Sequence, residues 1–73
     1  MRVRYTEYVL RGLRDHWLSC GRSDLKATAK RAYDKKVAMR GTIVDTDYNK
    51  VTVLWDDGTT SVCLSYMVML TNT

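Results

Sequence analysis

The hydrophobic pattern of this 73-residue chain changes period once, near Met39, from the three-and-four spacing of helices to the alternation of strands. That single switch constrains the fold to an α+β arrangement, in which a helical stripe and one face of a pleated sheet must share a core. Charge changes sign at nearly the same place. Residues 1–40 carry eleven of the twelve Lys and Arg against four acids, a balance of +7, whereas residues 41–73 carry Lys50 against Asp45, Asp47, Asp56 and Asp57, a balance of −3. A basic arm on a mildly acidic module points to a binding protein with two different faces rather than to an enzyme.

Length bounds the core. A chain of this size is one domain, residues 1–73, and buries roughly 60% of the surface it would expose unfolded. A core that small supplies about 3–5 kcal/mol unless it is stapled. Cys20 and Cys63 belong to no C-x-x-C pair, and with the single histidine, His16, they fall short of a four-ligand zinc site. Both thiols are expected to stay reduced, although a Cys20–Cys63 disulfide is an alternative, and no metal or cofactor is expected. No signal-like run opens the chain and no stretch reaches the ~20 apolar residues of a membrane span, which places it in the cytoplasm as a soluble monomer.

Between Tyr5 and Cys20, Val9, Leu10, Leu13, Trp17 and Leu18 fall on one helical stripe. Thr6 is placed to cap this helix, Tyr5 and Leu10 to staple its start, and Gly21 to stop it. The first four or five residues read as loose, with a short strand over Arg2–Tyr8 as the competing reading. Ser23 then opens a second helix and is placed to cap it. Leu25, Thr28, Ala29, Ala32 and Tyr33 line one side, Lys26, Lys30 and Arg31 the other, and Lys35 and Lys36 suit the negative end of the dipole. Residues 1–37 thus form the basic helical part and residues 38–73 the β part.

Two helices broken at Gly21 suggest a helix-turn-helix in outline, but bulky Trp17 occupies the position four before the turn glycine, where such motifs take a small residue. The cationic row Lys26, Lys30, Arg31 and Lys35 is the candidate partner surface of this half. Its contacts with phosphates would be indifferent to sequence and steeply salt-dependent.

From Met39 to Asp45 the alternation reads as a strand with a bend or bulge at Gly41. Val51–Trp55 and Thr60–Leu64 read as a hairpin around Asp56-Asp57-Gly58-Thr59, where Asp-Gly supplies the positive φ angles of a tight turn. Ser65-Tyr66-Met67 reads as a turn before a last strand, Val68–Leu70. The expected core is Ile43, Val53, Val62, Leu64 and Leu70. Tyr48, in the turn between the first two strands, is a candidate stacking or hydrogen-bonding contact.

Catalytic chemistry finds little support in these residues. His16 and Cys20, one turn apart, lack an orienting group and an oxyanion site. Asp56 and Asp57 are accounted for by the hairpin turn, and Asp45 and Asp47 by loop capping.

The stretches Arg40-Gly-Thr-Ile-Val-Asp45, Val51-Thr-Val-Leu-Trp-Asp-Asp-Gly58 and Leu64–Leu70 resemble Tudor, KOW and related SH3-like modules. That resemblance implies N-terminal helices packed on a small SH3-like antiparallel β-barrel, and partners among RNA, transcription machinery or modified peptides. A methyl-lysine cage would have to be built from Tyr48, Trp55 and Tyr66, with Trp55 equally placed to be core. Taken whole, the chain resembles the small host RNA-polymerase-binding transcription regulators of lytic Xanthomonas bacteriophage, on its length and on the opening Met1-Arg-Val-Arg-Tyr-Thr-Glu-Tyr8. The resemblance implies a non-enzymatic inhibitor of initiation at host promoters that also promotes antitermination, docking on bacterial RNA polymerase with the largest subunit favoured and nucleic acid close by. The alternative is a general RNA- or DNA-binding SH3-like module acting through the basic helical face.

Overall fold

Arg2–Tyr5 forms strand β1, not a loose lead-in to the first helix, and its alternation buries Val3 and Tyr5 while Arg2 and Arg4 stay partly exposed. The computed structural model describes residues 1–72. After β1 come α1 (Glu7–Ser19), α2 (Ser23–Ala38), β2 (Gly41–Asp47), β3 (Lys50–Trp55), β4 (Thr60–Leu64), a 3₁₀ turn (Ser65–Met67) and β5 (Val68–Leu70). All pairings are antiparallel, in the order β4-β3-β2-β1-β5. The sheet therefore draws strands from both sides of the expected boundary at residue 37. β4 and β5 are its two edges and do not pair with each other, so the five-stranded sheet is open.

The core lies on one face of the sheet. Val3, Tyr5, Leu10, Val53, Trp55, Cys63 and Val68 are buried, with Val9, Tyr33, Met39, Ile43, Val51 and Met67 packed against them. Of the expected core only Val53 is fully buried; Ile43 and Leu64 are half-buried, and Val62 and Leu70 are 66% and 61% exposed. The cause in β4 is parity. Val51 pairs with Cys63 and Val53 with Ser61, so the odd-numbered residues of β4 share the core face and Val62 points the other way. A one-residue choice of face inverts a whole strand.

Gly41 is not the bulge. The register slips between Ile43 and Asp45, which leaves Val44 as the extra residue. Gly41 is buried opposite Trp55, where a Cβ would lie 2.6 Å from Val53 Cγ1 and 2.9 Å from both Leu54 O and Trp55 Cε3. Glycine is needed here for close approach of strands. Trp55 in turn stacks on Tyr5, centroids 4.6 Å apart and planes 23° from parallel, which joins the two parts of the chain through one ring contact.

The β3–β4 turn uses one positive φ rather than two. Gly58, at φ +90°, donates its N–H to Trp55 O, and Trp55 N–H bonds to Thr59 O. This is the three-residue loop closed by a glycine bulge. In the β2–β3 turn the positive φ falls on Tyr48, at +56°.

The helices form a hairpin inserted between two neighbouring strands. Thr6 is the N-cap of α1 by backbone conformation, but its hydroxyl donates to Tyr66 O at 3.1 Å instead of capping, and its N–H bonds to Met67 O at 3.0 Å. The N-cap of α2 is Arg22 rather than Ser23, and Cys20 ends α1 in an extended conformation without left-handed backbone. Leu10 is the only buried residue of α1 and α2 has none, so the hairpin extends away from the core in a body of 39 × 22 × 19 Å. No helix among the described residues is long and apolar enough to cross a membrane.

Candidate docking surfaces

Four of the five candidate contact residues lie on α2, but they are not one free cationic face. Lys26 and Lys30 lie 5.8 and 5.7 Å from the ring of Trp17, close enough to cover it as cation–π neighbours. Lys30 also pairs with Asp34, one turn on, at 3.1 Å. Arg31 reaches Thr28 Oγ1 at 3.5 Å. Lys35 points to the other side, where it lines a cleft of about 310 Å³ with Met39, Arg40, Asp56 and Asp57. The thin apolar stripe of α2 explains this use of charge: lysine stems and head groups cover what alanines cannot. Tyr48 sits apart from all four, wholly exposed at the tip of the β2–β3 hairpin.

Three carboxylates of the β half, Asp45, Asp56 and Asp57, serve the fold. Arg2 clamps Asp56 with two bonds of 2.7 and 2.6 Å and also donates to Thr42 Oγ1, which ties β1 to the β3–β4 turn. That contact holds the Asp56 carboxyl below the usual range and the Arg2 guanidinium above its own. Asp57 Oδ1 accepts from the hydroxyl and the N–H of Thr59, at 2.6 and 3.0 Å, which lowers its carboxyl as well. Asp45 accepts from Thr46 N–H at 2.9 Å. Among the described residues no three His, Cys, Asp or Glu gather as a metal site.

His16 and Cys20 share the wall of an apolar cleft of about 350 Å³ between the helices, with Leu13, Leu25, Ala29 and Ala32. No carboxylate lines that cleft to orient the histidine. Both cysteines are free; Cys63 is buried, and burial raises its thiol while the charge of Lys36 opposes the shift. Trp55 is 2% exposed and stacked on Tyr5, so it cannot form the wall of an open methyl-lysine cage.

The edge strand β4 is the surface that spacing alone does not reveal. Its sequence, Thr60-Ser-Val-Cys-Leu64, contains no charge and no proline, and its register against β3 is unbroken. Natural edges are ordinarily blunted by one of those devices. Bonds at Thr59 (to Trp55) and at Ser65 (to Asn49) show that the odd-numbered residues bond inward, so the amides and carbonyls of Thr60, Val62 and Leu64 face outward. Val62 and Leu54 stand exposed beside them.

A second surface escapes the sequence because its parts are remote in the chain: Tyr8 of α1 meets Tyr66 of the 3₁₀ turn, ring centroids 5.2 Å apart at 88°. Compared with known protein families, curated proteins and solved structures, the chain matches none of them.

Proposed function

We propose that this chain is a non-enzymatic transcription regulator that binds bacterial RNA polymerase in the cytoplasm of the host cell, suppresses initiation at host promoters and promotes antitermination. The observation that carries the docking part is the unguarded β4 edge, which offers the outward-facing backbone of three alternate residues, Thr60, Val62 and Leu64, to an extended segment of the polymerase. The target favoured by the sequence resemblance is the largest subunit. The strand order and the short 3₁₀ turn before β5 support an SH3-like barrel as the finer description of the sheet. The cations of α2 then face the nucleic acid around the complex, weakly and without sequence preference.

A truncation of the basic part cannot test this edge, because it would delete the interior strand β1. Val62→Pro is better. It removes an amide that faces away from β3 and leaves the inward ladder intact, as prolines on edge strands do. The variant should stay folded by far-UV circular dichroism, while retention of bacterial polymerase on the immobilised protein falls at least tenfold. Undiminished retention by folded Val62→Pro would exclude β4 as the docking edge. Tight binding of short RNA with a steep salt slope, beside no retention of polymerase, would instead favour the general nucleic-acid-binding reading.

A further inference from the structure

The helical hairpin leaves an apolar side uncovered. Leu10 is its only buried residue, and Leu25, on the wall of the cleft between α1 and α2, is 52% exposed. Leu13 and Cys20 on α1 and Ala29 on α2 are half-buried around the same space of about 350 Å³. Both walls are helical, so their backbone amides and carbonyls are bonded along the helices and offer nothing sideways. The Thr28 hydroxyl is taken as well: it donates to Asp24 O at 3.1 Å and accepts from Arg31 at 3.5 Å. An occupant of this cleft must therefore bring its backbone hydrogen bonds with it. The surrounding charge has one sign. Residues 7–38 carry eight Lys and Arg against four acids, a balance of +4, and among the described residues no Asp or Glu lines the cleft. Arg31, held to Thr28, stands beside it, while Asp24 and Asp34 are engaged by Arg22 at 3.2 Å and Lys30 at 3.1 Å.

We propose that this cleft docks an acidic amphipathic α-helix of a partner protein, which completes a three-helix bundle with α1 and α2. A helix satisfies its own backbone, whereas an extended segment would leave amides unpaired against apolar walls. Small side chains at Thr28, Ala29 and Ala32 let the third axis come within the ~8–10 Å of packed helices. Leu25 to Ala32 covers two turns, about 10 Å of α2, which matches apolar anchors at i, i+3 or i+4, and i+7 of the guest. Glutamates flanking those anchors meet Arg31 and the surplus charge of the hairpin. The same surplus works against a second copy of this chain, since two hairpins of like charge would face each other. A nucleic acid would set phosphates against leucine and alanine. The proposal uses neither the β4 edge nor the polymerase reading, and each can fail without the other.

The test is an amide-shift titration of the ¹⁵N-labelled full chain with a synthetic peptide of about 15 residues, leucine at the anchor positions and glutamate and alanine elsewhere. A scrambled peptide of the same composition, which has no apolar stripe, and a version with lysine for glutamate are the comparisons. Saturable shifts centred on Leu13, Cys20, Leu25 and Ala29, given by the acidic striped peptide alone, are expected. With that peptide at about ten times its Kd, labelling of Cys20 by a thiol reagent should slow about tenfold, the factor by which free chain is depleted. Leu25→Ala removes an apolar anchor and should weaken binding about tenfold. Ala32→Gln keeps a helix-favouring residue but fills the groove, and should weaken it by at least as much. Arg31→Gln should weaken it less and lower its dependence on salt. All three side chains are exposed, so the variants should fold, as circular dichroism will check. The proposal is overturned by absence of saturable shifts, by an equal response to the scrambled or the lysine peptide, by shifts centred on Thr60–Leu64, or by unchanged labelling of Cys20. Shifts of the cleft residues that grow with protein concentration alone would overturn it too, by making a second copy the occupant.

Discussion

Gly41→Ala adds one methyl group at the tightest point of the sheet, and the structure sets what that costs. The new carbon would lie 2.6 Å from Val53 Cγ1, 2.9 Å from Leu54 O and 2.9 Å from Trp55 Cε3, all nearer than a real Cβ approaches. Val53 is 0% exposed and Trp55 2%, so neither side chain has an open direction in which to retreat, and Leu54 O belongs to the β3 backbone. Overpacking of this kind costs about 1–3 kcal/mol, and the top of the range applies where backbone must move. Alanine restricts the unfolded chain, which returns about 0.5–1 kcal/mol. The net loss is about 2 kcal/mol, near half of the ~3–5 kcal/mol expected for a core of this size. At ~4–8 °C per kcal/mol, the thermal midpoint should fall by about 8–16 °C. Urea and thermal denaturation followed by circular dichroism measure both quantities, with an unchanged denaturant slope showing that stability has changed and the surface exposed on unfolding has not. A Gly41→Ala protein within about 0.5 kcal/mol of the parent would refute the close-approach argument. Gly12→Ala is the internal contrast: on an open helix face the same methyl should stabilise by about 1 kcal/mol.

Asp56 and Asp57 both titrate lower in the folded state than unfolded, so their contribution is complete above the unfolded carboxylate range and is lost as pH falls through the folded values. The thermal midpoint should hold between pH 7 and 5 and drop below about pH 4, and Arg2→Met should flatten part of that drop; a pH-independent melting series would contradict the clamp. Tyr48→Asn puts a residue that tolerates left-handed backbone at the hairpin tip and should stabilise by about 1 kcal/mol in urea melts, unless Tyr48 carries no strain. A thiol reagent should label Cys20 at once and Cys63 only on unfolding, because Cys63 is 5% exposed; equal rates would place Cys63 at the surface.

Periodicity made α1, α2 and the β3–β4 hairpin legible, since each is decided by neighbours within a few residues. Strand β1 was legible only as the competing reading of its residues, because four alternating residues are stable only between β2 and β5, which arrive much later in the chain. The face of β4 was misread for a related reason: Thr60, Val62 and Leu64 look more apolar than Ser61 and Cys63, and only register against Val51 and Val53 settles the matter. The α2 cations were visible as charges, but their work in covering Trp17 depends on a facing helix. Neither the Arg2–Asp56 clamp nor the Tyr8–Tyr66 contact leaves any local signature, as each joins residues from opposite ends of the sequence.

The position of β1 also sets the order in which the molecule can assemble. Val3 pairs with Gly41 on one side and Leu70 on the other, and Thr71 N–H bonds to Arg2 O at 3.0 Å. During synthesis β1 must wait until β5 has been made before its second neighbour exists, while the helical hairpin and the β2–β3–β4 meander can form as they appear. Residues 2 and 71 end side by side, so a short linker between them, with new ends opened at the exposed Gly21-Arg22 turn, should give a circular permutant in which β5 and β1 are made together. Such a permutant should refold faster than the parent.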